Sequence, residues 1–301
     1  MCPLCGKAAG RRWGAHADFS GSQIHGCDGC EFWFGAPAPS AAALRRYYET
    51  TYRERRTWSA SREYLALMRR RGAAQCRFIA PVARGIRTAV DIGCGVGGLV
   101  AALADAEVDA VGFDSDESVI RIGTEKLRAN VRTDYVVTTE EAAAGRCDLL
   151  CLSHVVEHFA GPVEELGRLL RRVESGGYVF IEVPSCTSWM FEERVETESH
   201  LGFFTPRSLA KLGERLALEV VKMEECGPVT EDYYRAQGVR LDREAARGSQ
   251  GAPGKLMGLP ARLMRRISSP RTEFDGAYET VRTEGSSSRL WLRALFRRAK
   301  E

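Results

Sequence analysis

No apolar run in the 301 residues approaches the ~18 residues that a membrane span needs, which argues against an integral membrane protein. Behind Met1-Cys2-Pro3-Leu4-Cys5 there is no apolar core segment of a signal peptide, so the expectation is a cytoplasmic protein. An excess of one charge is missing too. Lys and Arg total 43 against 40 Asp and Glu, and a net +3 gives no whole-molecule field that marks a nucleic-acid binder. The arginines are nevertheless uneven, crowding residues 45–71 and 262–298. Histidine is scarce at five residues, whereas cysteine is not: ten is many for a cytosolic chain.

The cysteines fall into two kinds. Cys76, Cys94, Cys147, Cys151, Cys186 and Cys226 are scattered, several within apolar strand-like runs, and read as small buried hydrophobes. Cys2-Pro3-Leu4-Cys5 and Cys27-Asp28-Gly29-Cys30 are paired Cys-x-x-Cys knuckles, whose four thiolates close a tetrahedral zinc site. Ile24 and His25, with Phe32, Trp33 and Phe34, would form a small β-ribbon around it. Some forty residues cannot bury enough surface alone, so the metal would supply folding energy. A closed four-sulfur site has no open position, which makes it structural. His16 and His25 find no vacancy there, and a disulfide pairing suits a cytosolic setting poorly.

Thr88-Ala89-Val90 reads as a buried strand, Asp91-Ile92-Gly93-Cys94-Gly95-Val96-Gly97-Gly98 as a glycine loop, and Leu99 to Ala104 as a helix. Strand, glycine loop and helix form the geometry that holds a nucleoside cofactor. Two cofactors compete for it. Gly93-x-Gly95-x-x-Gly98 matches the dinucleotide fingerprint, with Asp114 near the distance of a ribose-binding acid. Asp91 at the mouth would repel a pyrophosphate but attract the sulfonium and amino group of S-adenosylmethionine.

Asp91-x-Gly93-x-Gly95-x-Gly97 resembles the first motif of the class I S-adenosylmethionine-dependent methyltransferases. The resemblance implies a Rossmann-like, doubly wound α/β fold with a mostly parallel seven-stranded sheet. It assigns Asp91, Gly93, Cys94, Gly95, Gly97, Asp114, Ser115 and Ser153 to the cofactor, with Asp114 on the ribose hydroxyls and Gly98 as a coincidence. Thr138-Thr139-Glu140 would touch the adenine amino group. Ser153-His154-Val155-Val156-Glu157-His158 and His200-Leu201-Gly202-Phe203-Phe204-Thr205 are similar to segments of the ubiquinone-type small-molecule methyltransferases. They supply His154, His158, His200 and Glu157 as catalytic candidates, the histidines as possible bases. Methyl transfer is an in-line displacement, for which positioning supplies up to roughly 7–11 kcal/mol and a base about 3–5 kcal/mol. Tyr47, Tyr48, Tyr52 and Trp58 would fold over the pocket or pack ordinarily.

The strand and helix signals place a zinc ribbon at 1–36, a linker and cap helices at 37–85, the cofactor core at 86–226, an insertion or cap at 227–285 and a final strand at 286–301. Ser40 and Ser61 read as helix N-caps. Strands are expected at Ala110–Asp114, Asp134–Val137, Asp148–Leu152, Tyr178–Val183 and Leu218–Met223. Helices are expected from Asp116 to Leu127, from Val163 to Val173 stopped by Gly176-Gly177, and from Ser208 to Leu216. Leu256 to Ile267 has the spacing of a basic amphipathic helix. A ribbon ahead of such a core is similar both to zinc-containing methyltransferases of bacterial sugar and natural-product pathways and to large-subunit rRNA methyltransferases. The resemblance favours a small-molecule acceptor. An rRNA or tRNA methyltransferase gripping RNA through ribbon and arginines, a non-catalytic cofactor-binding adaptor and a dinucleotide oxidoreductase are the alternatives.

Overall fold

The computed structural model describes residues 1–52, 60–134, 145–186, 199–230, 232, 281–283 and 287–300. Trp58, Tyr135–Val137, the Thr138-Thr139-Glu140 adenine contact and the 256–267 amphipathic segment lie outside the described residues.

The N-terminal strands are β1 (Arg11–Ala15), β2 (Gln23–Gly26) and β3 (Trp33–Ala36). Helix α1 (Ala41–Tyr47) starts where Ser40 accepts from the Ala43 N–H, and a π turn extends it over Tyr48–Tyr52. Helix α2 (Arg62–Ile79) is capped likewise by Ser61. Then come β4 (Thr88–Ile92), α3 (Gly98–Asp105), β5 (Asp109–Asp114), α4 (Glu117–Ile122) and β6 (Val131–Thr133). The remainder is β7 (Cys147–Ser153), α5 (Pro162–Leu169), β8 (Val173–Pro184), β9 (Gly202–Phe203), α6 (Pro206–Arg215), β10 (Leu218–Val229) and β11 (Arg289–Arg298).

Seven strands form one sheet in the order β10-β11-β8-β7-β4-β5-β6. The β4–β5, β5–β6, β4–β7 and β7–β8 pairs are parallel, and β11 runs antiparallel to both its neighbours. Successive residues of β7 serve opposite faces: Leu150 and Leu152 join the core under α5 and α6, Leu149 and Cys151 the core under α3 and α4. Both faces are thus covered, as the unbroken apolar strands predict. The chain leaves β4 in one direction and returns for β7 on its other side. That reversal opens a crevice at the carboxyl ends of β4 and β7, where ligands of such sheets bind.

Two elements depart from the pattern. The third core strand begins earlier than the apolar residues suggest, at Val131, whose buried side chain pairs it beside Gly112 of β5. The helix ahead of β8 ends at Leu169 and a 3-10 turn, not at Val173, which is fully buried and pairs with Cys147. Gly176-Gly177 is therefore no helix stop. It lies in an irregularity of β8, where Cys147 pairs with Val173 but Leu149 with Tyr178, and Gly176 takes φ +75°.

The ribbon is built into the core. Its β3 pairs antiparallel with β9, so the small sheet runs β1-β2-β3-β9. Cys2, Leu4, Cys27, Cys30, Phe32 and Phe34 belong to the same apolar cluster as Phe204, Leu209 and Leu212 around α6. The Phe32 and Phe204 rings lie 4.8 Å apart, and Arg215 donates to the Leu4 carbonyl at 3.1 Å.

Candidate functional site

The loop after β4 turns on its alternate glycines. Gly93, Gly95 and Gly97 have φ of +67°, +55° and +77°, a region costly for any residue with a Cβ. Gly98 has ordinary φ and serves helix packing instead. A Cβ there would meet the Met68 carbonyl oxygen at 2.3 Å, and one on Gly72 would meet the Gly98 oxygen at 2.0 Å, so this pair lets α2 lie against α3. Cys94 packs on Gly112 of β5, where an added Cβ would meet its sulfur at 2.7 Å, and donates to the Gly95 carbonyl.

Two carboxylates flank the loop. Asp114, at the end of β5, accepts from the Gly95 N–H and the Asp116 N–H, each at 3.0 Å. Burial raises its pKa, and each oxygen retains a second lone pair for a hydroxyl. Ser115 follows it directly. Asp91 is 3 % exposed, and its Oδ1 has no hydrogen-bond partner. Burial, and then the charge of Asp114, push its pKa up to about 8. A buried, unpartnered carboxyl oxygen beside a left-handed glycine loop fits a cationic ligand, whose charge favours the ionised acid, and gives an anionic one no partner.

β7 delivers Ser153 and His154 to the neighbouring position. His154 has φ +58° and donates its N–H to the Glu182 carbonyl at 2.8 Å. Its Nδ1 lies 3.3 Å from Glu157 and its Nε2 2.8 Å from Arg71. Glu182, fully buried near the end of β8, gathers the rest: Gln75 reaches it at 3.0 Å, Ser153 at 3.4 Å and Arg71 at 3.4 Å. Gln75 also donates to Ser153 at 2.9 Å, and the Arg71 guanidinium stands 5.3 Å over the Trp291 ring. Sequence reasoning missed Glu182, Gln75 and Arg71. The legible signal was an acid at the end of the apolar run Tyr178–Val183.

The remaining candidates meet beside this network. Val156–His158 is a 3-10 turn in which Glu157 is 1 % exposed. Glu157, His158 and His200 bring their side-chain polar atoms within 4.8 Å of one another. The His158 ring is edge-on to His200 at 5.0 Å and to Tyr48 at 5.9 Å. Tyr47, Tyr48 and Tyr52 form one ring cluster there. The Ser199 carbonyl lies 3.2 Å from His158 Nδ1. A carbonyl only accepts, so Nδ1 carries the proton and Nε2 is the basic nitrogen. In the ribbon, Cys2 and Cys30 sulfurs lie 3.7 Å apart and Cys5 and Cys27 sulfurs 3.5 Å, with all four cysteines free of disulfides. Four sulfurs at about 2.3 Å from one zinc ion would stand about 3.8 Å apart.

Residues 51–223 match the family model described as "Methyltransferase domain". Among curated relatives, the ubiquinone biosynthesis O-methyltransferase of Methylococcus capsulatus is 26% identical over 187 residues, 56% of this chain and 79% of that protein. The enzyme of the same name from Bordetella avium is 30% identical over 166 residues, 49% of this chain and 69% of that protein. A SAM-dependent methyltransferase from Archaeoglobus fulgidus shares the fold with a TM-score of 0.50 at 18% identity, covering 84% of this chain and all of that one. The loop's choice between a dinucleotide and a methyl donor is thereby decided: the chain belongs to the methyltransferase-domain family and is an S-adenosylmethionine-dependent methyltransferase.

Proposed function

We propose that this enzyme methylates a small-molecule acceptor, a sugar or natural-product or cell-surface intermediate, using His158 as general base. The observation that carries the cofactor assignment is Asp91 Oδ1, buried and unpartnered at the mouth of the glycine loop. S-adenosylmethionine supplies a methyl group activated by its sulfonium. Asp91 would hold the amino group of that cofactor, Asp114 its ribose hydroxyls, and Arg71, steadied by Trp291, its carboxylate. Gln75 and Glu182 fix Ser153 beside them. His154 is a poor base, because each ring nitrogen faces a charged group, Glu157 or Arg71. His158 keeps its proton on Nδ1, so its Nε2 can take the proton that the acceptor loses. Relatives named as O-methyltransferases support a hydroxyl acceptor. We also assign a structural zinc ion to Cys2, Cys5, Cys27 and Cys30, supported by the sulfur spacing.

Calorimetry tests the cofactor site. The wild type should bind S-adenosylmethionine, and Asp91→Ala and Asp114→Ala should each lose at least tenfold in affinity. Unchanged binding in both variants would sink the assignment. A panel of hydroxylated small molecules, scored by release of S-adenosylhomocysteine, then tests the acceptor class. Turnover of structured RNA but of none of the panel would overturn it.

A further inference from the structure

The segment carrying His200 is clasped by the ribbon. Asp18, in the loop between β1 and β2, accepts two hydrogen bonds at Oδ2, from the Tyr47 hydroxyl and from the Ser199 N–H, both at 2.8 Å. Ser199 is 2 % exposed and has φ +54°. Such a backbone is costly for a residue with a Cβ and persists only where its surroundings hold it. The same loop grips the next residue. His16 Nδ1 accepts from the Asp18 and Phe19 N–H groups, so its proton sits on Nε2 and goes to the His200 carbonyl at 2.9 Å. Leu201 completes the clasp, donating to the Glu157 carbonyl at 2.8 Å and accepting from Gly35 N–H at 2.9 Å.

The consequence falls on His158. Its Nδ1 proton is directed by the Ser199 carbonyl, and Asp18 holds the Ser199 N–H on the other side of the same Cα. We propose that Asp18 is a positioning residue: by holding Ser199 in the backbone conformation that aims its carbonyl, it decides which nitrogen of His158 is basic. Asp18 lies outside residues 51–223, so the ribbon adds this device to the methyltransferase domain. Its catalytic meaning rests on His158 being the base; its structural content does not.

The test is the imidazole tautomer, read from long-range proton–nitrogen correlation spectra of the full chain at a pH where the histidines are neutral. His158→Gln identifies the signal. Wild-type His158 should be the Nδ1–H form. In Asp18→Ala the Nδ1–H to Nε2–H ratio should fall at least tenfold, while affinity for S-adenosylmethionine stays within twofold. Asp18→Asn keeps an acceptor oxygen and should restore most of the ratio, which a general loss of packing would not do. Tyr47→Phe removes only the other donor and should leave the tautomer alone. If Asp18→Ala does not fold, Asp18→Ser, which likewise removes the carboxylate from the Ser199 N–H, takes its place. An unchanged tautomer in a folded Asp18→Ala, or an equal shift in Tyr47→Phe and Asp18→Asn, overturns the proposal. Full turnover by His158→Gln would instead overturn the base assignment and leave the tautomer result standing.

Discussion

Asp91 is protonated in the free protein at neutral pH, since burial holds its pKa at about 8 against about 3.9 in an unfolded chain. Between those values the folded state holds the extra proton. This group's contribution to stability therefore falls as pH rises from 4 to 8, by up to about 1.4 kcal/mol per pH unit. Asp91→Asn should flatten that slope in denaturant melts run across the window. A cationic ligand reverses the preference, so S-adenosylmethionine binding should expel a proton and tighten between pH 6 and 7.5. Calorimetry in buffers of different ionisation enthalpy measures that proton directly. His158→Gln should lower kcat by about 10²–10⁴-fold with cofactor affinity unchanged. His154→Gln should instead weaken cofactor binding as well, because it loosens Arg71 and Glu157 together.

Helix packing sets the next expectation. Gly72→Ala gains up to about 1 kcal/mol of helix propensity but drives a methyl group to 2.0 Å from a backbone oxygen. Overpacking of that kind costs about 1–3 kcal/mol, so the clash wins and the melting temperature should fall. This contact also separates what was legible from what was not. The helices capped by Ser40, Ser61 and Thr205 and the strands β4, β5, β7 and β11 were readable, because capping residues and apolar periodicity are local signals. The β8 irregularity and the Gly72–Gly98 approach depend on partners distant in sequence. The site followed the same rule. Asp91, Asp114 and the three alternate glycines announce themselves by spacing, whereas Glu182, Gln75 and Arg71 become a group only when α2 crosses the ends of β7 and β8.

For the molecule as a whole, the ribbon and the domain share one apolar cluster. Chelation of the assigned zinc should therefore lower the melting temperature of the entire chain in one cooperative transition and not release a separate module. Metal analysis should find one zinc ion per chain before chelation and none after. Among the described residues no helix is long and apolar enough to cross a membrane. A net charge of +3 further predicts that filter binding to RNA will lack the steep salt slope of a phosphate-gripping surface.

The pairing of β3 with β9 bears on the order of assembly during translation. Trp33 emerges from the ribosome long before Phe203, its partner across the small sheet. The cysteine knuckles can thus take up metal early, yet one edge of β3 stays unsatisfied until most of the domain has been made. An unpaired edge invites pairing with other nascent chains. The shortness of β3 limits that exposure, whereas its own Trp33 and Phe34 add to it until Phe203 arrives.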